Sequence, residues 1–405
     1  MTKHVIDRRN PESLMIHNVD PTVDDSLFAT LDKNTFRKIL LWGKKLGVAD
    51  LAFQADMPVI AKIDNMLYPI TKVELSPGII KQIINIIYDL KPGDDSAYLR
   101  IMSGDETNCG YHFYSGKEGE VKTGVRYRIN HIRDDENSLS LRARLNTDEI
   151  HKLEAIGQSP DGVIYRNMFK MKGGVFITGS VDSGKTTLIY ACLRHFVEND
   201  PRHAFIDTFE NPVEANLKRV VIQGQHYSKM VNQCPVPLGV KGFKQAVQEM
   251  LRRNTDIGLL GEIRTPEEAE GMVEALKATG KLMMATLHTD TVGMTISRII
   301  EMLYSDNPAR MKSLVSELIN GTNMIVSQKL LATVDRKRTA VNEVLVFTNE
   351  LKKKLSKLEI YEIPEAINKI MIDSGDTMVD KAKVLLEDGK ISQTVFDEFA
   401  ESFSY

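Results

Sequence analysis

Hydrophobic and polar positions follow two different rhythms along the chain. From residue 34 to about 150 the apolar runs are short and broken by turn residues. Phe36, Ile39, Leu40 and Leu46 fall near one face of a helix, and two short strands are expected at 50–55 and 58–63. Asp64 and Asn65 supply a turn into Met66-Leu67-Tyr68. Pro77 opens an isoleucine-rich helix, and further strands are expected at 111–114 and 124–132. Residues 1–33 are polar, carry Pro11 and Pro21, and read as a loosely ordered arm. A polar stretch from Asn146 to about Gly162 separates this block from the next. Beyond it, strands expected at 174–178, 203–208, 257–260 and 282–287 alternate with helices at 185–197, 242–254, 266–279 and 292–303. In the second of these helices Phe243, Ala246, Val247, Met250 and Leu251 recur at i, i+3, i+4, i+7 and i+8. Such alternation predicts a largely parallel α/β sheet. The last part is charged and helical, punctuated by Pro364, Gly375 and Gly389. The expected division is an arm at 1–33, an α+β domain at 34–150, an α/β domain at 151–350 and a helical region at 351–405.

Composition narrows the function classes. A net charge of −3 over 405 residues gives no overall basic field, so direct nucleic-acid binding is not expected. Cys109, Cys192 and Cys234 are scattered and form no zinc motif, which fits a reducing compartment. No apolar run approaches the roughly 20 residues of a membrane span. A cytoplasmic protein is expected, with any membrane association peripheral at the inner-membrane face.

The chemistry concentrates at Gly179-Ser180-Val181-Asp182-Ser183-Gly184-Lys185-Thr186. The spacing Gly-x-x-x-x-Gly-Lys-Thr follows an expected strand and opens an expected helix that continues through Thr187, the context of a phosphate-binding loop. Successive backbone N–H groups and the helix N-terminus favour an anion there. Lys185 would reach the β- and γ-phosphates of ATP, and the Thr186 hydroxyl would ligate Mg²⁺. Asp182 is an acid inside an anion cradle. A left-handed backbone, which Asp tolerates, would let its carboxylate turn outward.

Three further strand ends carry polar groups. Glu210 lies after the strand at 203–208, Glu262 ends the segment beginning at Ile257, and Thr286, His288 and Thr289 end the strand from Met283. Ligands of open α/β sheets gather at the carboxyl ends of strands. Glu262 could orient the attacking water or hold Mg²⁺ through water, with Glu210 as the other acid. Taken singly, each also reads as an ordinary surface acid, and His288 as a structural histidine.

At these residues the chain resembles the secretion-superfamily ATPases, the hexameric motors of type II and type IV secretion, type IV pili and conjugation. Gly179 to Thr187 matches the family's Walker A segment. Thr208-Phe209-Glu210-Asn211-Pro212-Val213-Glu214 resembles its Asp box, Gly261-Glu262-Ile263-Arg264 its atypical Walker B, and Thr286-Leu287-His288-Thr289 its His box. Ser327-Gln328-Lys329-Leu330-Leu331 and Glu343-Val344-Leu345-Val346-Phe347 point toward the branch of type IVB secretion and IncI-type conjugation. The resemblance implies a RecA-like P-loop NTPase core, preceded by a PAS-like α+β N-terminal domain and followed by C-terminal helices. It implies a homohexamer working on an inner-membrane secretion or conjugation complex. It further implies that Arg128 and Arg142 contact nucleotide phosphates, and that His288 senses the γ-phosphate. Asn211, Thr265, Lys281 and Asp182 depart from the family pattern. These departures leave open an ATP-binding scaffold with little hydrolysis. A nucleic-acid motor is the third reading, and the lack of a basic channel signature speaks against it.

Overall fold

The computed structural model describes residues 31–403, apart from 47, 49, 64–65, 105–107, 116–122, 135–136, 147–148, 237–238, 279–280 and 336. Residues 1–30 of the expected arm and the expected turn at 64–65 lie outside the described residues. The chain divides into two compact units, Met1–Asp148 and Glu149–Tyr405.

The first unit holds α1 (Lys33–Leu46), β1 (Asp50–Gln54), β2 (Ile60–Ile63), β3 (Met66–Pro69), α2 (Pro77–Ile87), α3 (Ser96–Met102), β4 (Asn108–Ser115), β5 (Thr123–Arg133) and β6 (Leu139–Asn146). Its six strands form one antiparallel sheet in the order β3-β2-β1-β6-β5-β4. Local chemistry sets the helix starts. Asp32 accepts from the Thr35 amide at 2.7 Å, and Ser76 caps α2 ahead of Pro77. Phe36, Leu40, Leu51, Phe53, Ile83 and Tyr127 share one buried cluster. The alternate residues of β5 and β6, among them Arg126, Arg128, Arg142 and Arg144, take the other face. This is the PAS-like α+β domain. β6 and α3 were not anticipated from sequence.

The second unit begins with α4 (Val163–Met168) and then alternates. β7 (Gly173–Thr178) leads to α5 (Lys185–Asn199), β8 (Ala204–Glu210) to α6 (Leu217–Gly224), and β9 (Lys229–Pro235) to α7 (Phe243–Arg252). β10 (Ile257–Leu260), α8 (Pro266–Ala278), β11 (Leu282–Leu287), α9 (Val292–Met302) and α10 (Pro308–Gly321) follow, then the hairpin β12 (Thr322–Ala332) and β13 (Arg338–Val346). Four helices close the chain: α11 (Asn349–Leu355), α12 (Ile363–Ser374), α13 (Met378–Glu387) and α14 (Gln393–Glu401). The sheet order is β13-β12-β7-β11-β10-β8-β9, parallel except for the β12–β13 pair. It is the α/β core of a RecA-like P-loop NTPase.

Helices cover both faces of this sheet. Val175, Ile177, Leu259, Met284 and Val326 belong to one buried cluster, while Phe176, Leu260, Met283, Ala285 and Ile325 belong to another. Neighbouring residues of one strand point to opposite faces, so the two clusters are the two sides. The C-terminal helices, expected as a region of their own, join the second unit: Leu355, Ile363, Ile367 and Met371 complete the larger of the two clusters.

Three strands of this sheet were not expected, namely β9, β12 and β13. One expected boundary also shifts. β8 continues through Glu210, which is therefore a buried strand residue and not part of a surface loop. β10 ends at Leu260 as expected, and Glu262 follows the strand. Among the described residues no helix is long and apolar enough to cross a membrane.

Candidate functional site

The carboxyl ends of β7, β11, β10 and β8 lie side by side, and the expected site residues of the second unit stand on or just beyond them. The loop after β7 turns on Gly179 (φ 144°) and Gly184 (φ 83°). A side chain at Gly179 would put its Cβ 2.2 Å from the Gln328 carbonyl oxygen, so the position admits only glycine. Asp182 has φ 59° and is exposed, the left-handed conformation its residue type suggested. Ser180 and Val181 are also exposed, whereas Ser183 is buried.

Gly184 is the N-cap of α5 and offers no side-chain cap. Ser76, Thr291, Asn307, Thr348, Thr377 and Ser392 do cap the helices that follow them. The first N–H groups of α5 are thus left by side chains for an incoming acceptor. Ser183 Oγ is buried and has no hydrogen-bond partner. Lys185 Nζ donates to the carbonyls of Gly179 at 2.7 Å and Ser180 at 2.8 Å. Burial pushes the Lys185 ammonium below the usual lysine range, against the opposing pull of Glu262, Glu214, Asp182 and Asp290. A cradle of glycine backbone, uncapped amides and a buried cation fits the phosphates of a nucleotide.

The polar ends of the next strands converge on this lysine. Lys185 Nζ lies 3.5 Å from His288 Nδ1, and His288 Nε2 lies 3.2 Å from Glu262 Oε1. An ammonium only donates, so Nδ1 is the acceptor and Nε2 carries the proton toward the carboxylate. Arg264 pairs with Glu262 from the other side. Lys185, His288 and Glu262 are thus brought into one line.

Glu210 sits beside that line. A Cβ at Gly261 would meet Glu210 Cα at 3.1 Å, so the residue preceding Glu262 must be small for the two strand ends to lie together. Both Glu210 oxygens accept from Tyr190 at 2.8 Å, and Oε1 also accepts from Thr208 Oγ1 at 2.6 Å. Thr186 is half-buried beside Lys185, and Thr187 is exposed. Among the described residues no group of three His, Cys, Asp or Glu side chains could hold a metal ion. A divalent ion here would need the ligand's own phosphate oxygens beside the Thr186 hydroxyl, which is how Mg²⁺ is commonly bound with nucleotides. Arg128 and Arg142 belong to the first unit. Arg142 stands exposed opposite Asn130, and Arg128 half-buried opposite Arg144.

Several residues that shape the site were not anticipated in these roles. The Gln328 side chain braces the loop through Ser183 O at 2.7 Å. Thr178, Ser327 and Thr295 form a hydroxyl chain behind β7, with Thr295 to Thr178 at 3.2 Å and Thr178 to Ser327 at 3.0 Å. Tyr190 reads in sequence as an ordinary core residue of a helix. Its bond to Glu210 depends on strand placement, which local sequence does not carry.

Comparison with known proteins agrees with the geometry. The model of the family described as "Type II/IV secretion system protein" matches residues 121–388. The type IV pilus retraction ATPase PilT of Pseudomonas aeruginosa is 26% identical over 82% of this chain and 88% of its own length. The type IV pilus ATPase PilU of the same organism is 27% identical over 86% of this chain and 83% of its own. Among solved structures, the ATPase DotB of Legionella pneumophila superposes with a TM-score of 0.80 at 24% identity, covering 92% of this chain and 97% of that one. A crystal structure of the pilus retraction motor PilT with bound ADP superposes at 0.70 and 23% identity, covering 89% and 95%.

Proposed function

The chain belongs to the type II/IV secretion system protein family and is an ATPase, and from that premise we propose that it is the Mg²⁺-dependent motor of a type IV secretion or conjugative transfer system of the IVB-like branch. It works as a homohexameric ring on the cytoplasmic side of an inner-membrane complex, with any membrane association peripheral at the inner-membrane face. Its output is mechanical work on substrate export or pilus dynamics.

The observation that carries this reading is the line from Lys185 through His288 to Glu262 beside an uncapped glycine loop. Lys185 leaves the carbonyls of Gly179 and Ser180 for the β- and γ-phosphates of ATP. The amides of residues 180–187 cradle the same phosphates. Thr186 and the phosphates would hold Mg²⁺, which would neutralise charge developing on the transferred group. Glu262 positions the attacking water. The water oxygen bonds to the γ-phosphorus in line as the bond to the bridging oxygen breaks, and ADP and phosphate result. His288 touches both the phosphate-binding lysine and Glu262, so it registers whether the γ-phosphate is present. Glu210 accepts from two hydroxyl donors, Tyr190 and Thr208, which favours its ionised form and suits an anion that would orient a bound metal's water ligands better than a base that must take a proton. Arg128 and Arg142 are the arginines that the family resemblance assigns to nucleotide phosphates, where they would neutralise transition-state charge.

The test is phosphate release by the purified protein over a range of protein concentrations, beside Lys185→Ala and Glu262→Gln. Turnover that rises with assembly and vanishes in both variants supports the motor. A wild type that binds ATP yet releases no more phosphate than Glu262→Gln, under every assembly condition, leaves only a scaffold role.

A further inference from the structure

Tyr190 and Gln233 lie outside the motifs that first mark the site, and their hydrogen bonds have only one consistent direction. Gln233 Oε1 accepts from the Leu217 amide at 2.8 Å, which fixes the other end of the amide as nitrogen. That nitrogen donates to the Ala215 carbonyl at 2.8 Å and to the Tyr190 hydroxyl oxygen at 2.8 Å. Both of its protons are therefore placed. Tyr190 receives one proton and must direct its own to Glu210, whose two oxygens it reaches at 2.8 Å. Thr208 adds a second donor at 2.6 Å. Glu210 thus accepts from both hydroxyls, an arrangement that favours an ionised carboxylate.

The relay is also a mechanical tie. Tyr190 stands on α5, the helix that begins at Lys185 and carries Thr186. Gln233 stands on β9 and holds the turn 215–217 at the start of α6. Glu210 closes β8 between them. The helix that presents the phosphate-binding lysine thereby also sets the angle of this carboxylate.

We infer that Tyr190 and Gln233 are positioning residues that hold Glu210 as an oriented anion toward the water ligands of the nucleotide-bound Mg²⁺. The inference rests on the role given to Glu210 above. Donor contacts of this kind behind a metal site commonly change metal affinity by roughly 10- to 100-fold when removed.

The experiment measures ADP affinity of the full-length protein with and without Mg²⁺, using a fluorescent ADP, so that no turnover is required. The readout is the ratio of the two dissociation constants. Tyr190→Phe, which removes only the hydroxyl, is expected to cut the Mg²⁺ enhancement about tenfold, with Mg²⁺-free ADP affinity unchanged and thermal unfolding lowered only as far as the loss of one buried hydroxyl requires. Gln233→Glu keeps an acceptor for the Leu217 amide but removes the donor to Tyr190. The Tyr190 hydroxyl then turns to the new carboxylate, and the same loss is expected. In a Glu210→Gln background Tyr190→Phe should cost nothing more. A full additional loss in that background overturns the inference, as does a loss in Tyr190→Phe without one in Gln233→Glu. Glu210→Gln with an unchanged ratio removes the role of Glu210 itself. A loss in Glu210→Gln with none in Tyr190→Phe removes the relay alone.

Discussion

The side-chain amide of Gln328 donates to the backbone carbonyl of Ser183 at 2.7 Å, across 145 residues of chain. The bond ties β12 to the loop that carries the phosphate-binding amides. Gly184 lies against the same group, since a Cβ there would meet Gln328 Nε2 at 2.8 Å. The loop is thus held from behind by one buried side chain. Replacing Gln328 with Leu leaves the Ser183 carbonyl without its donor in a buried place. Such a loss costs about 1–3 kcal/mol, and here it falls on the shape of the loop. Gln328→Leu is expected to weaken ADP binding roughly tenfold, as read by calorimetry. Unaltered affinity would mean that the loop holds its shape alone.

His288 separates binding from turnover. It contacts Lys185 through Nδ1 and Glu262 through Nε2. Lys185 keeps its own cradle without it, so nucleotide affinity in His288→Ala should stay within a few-fold of wild type. The geometry of Glu262 loses one of its two cationic or donor neighbours, leaving Arg264. Turnover should fall on the order of 100-fold. Steady-state kinetics beside ADP binding decide this, and a variant that loses affinity and rate in parallel argues instead for a role in holding the phosphates.

The phosphate loop was legible because its chemistry is local: strand, glycine turn, lysine and helix follow one another within about 25 residues. The fold class followed from the alternation of strands and helices, and the central strands β7, β10 and β11 fell close to their expected ranges. β12 was missed for a physical reason. Its residues 322–328 are buried in succession although Asn323, Ser327 and Gln328 are polar, so it shows neither alternation nor an apolar run. β9 is an edge strand with a polar sequence, and edge strands carry weak signals. β6 is different, because Leu139, Leu141, Ala143 and Leu145 alternate with polar residues, and that period was available to be read. Glu210 was expected as a loop acid because its burial depends on Tyr190, twenty residues earlier on another element. Long-range partners such as these cannot be read from spacing.

Glu343 offers a test of how the C-terminal helices are joined to the core. Its carboxylate is fully buried, accepting from the Val292 amide at 2.9 Å and the Met378 amide at 3.3 Å. These amides open α9 and α13, so one carboxyl group serves two helix N-termini. Glu343→Leu strips both amides of their acceptor and is expected to destabilise the protein by about 3 kcal/mol. Glu343→Gln retains one good acceptor and should cost less than half as much. Hydrogen exchange should rise first at residues 376–390 in the Leu variant. Equal losses in the two variants would show that the paired acceptor oxygens are not what matters at this position.

Lys185 makes stability and nucleotide affinity depend on pH in opposite senses. In the nucleotide-free protein burial lowers its pKa from the ordinary 10.5. Between the lowered value and 10.5 the unfolded chain holds the proton more fully than the native state. Stability therefore rises with pH across that window, because the native state is relieved of a buried charge. Bound phosphates reverse the preference by favouring the ammonium, so binding takes up a proton and ADP affinity falls as pH rises through the same window. Lys185→Met removes both effects without removing the aliphatic stem. The stability advantage of Lys185→Met over wild type should be largest at the lower pH and narrow toward pH ~10.5, as followed by denaturant unfolding from about pH 8 upward. A difference that stays flat across that range, or widens, would show that the lysine holds its proton in the folded protein as firmly as in the unfolded chain. The opposite slope of ADP affinity in the wild type, compared with a flat profile in the variant, then assigns the proton to this one side chain.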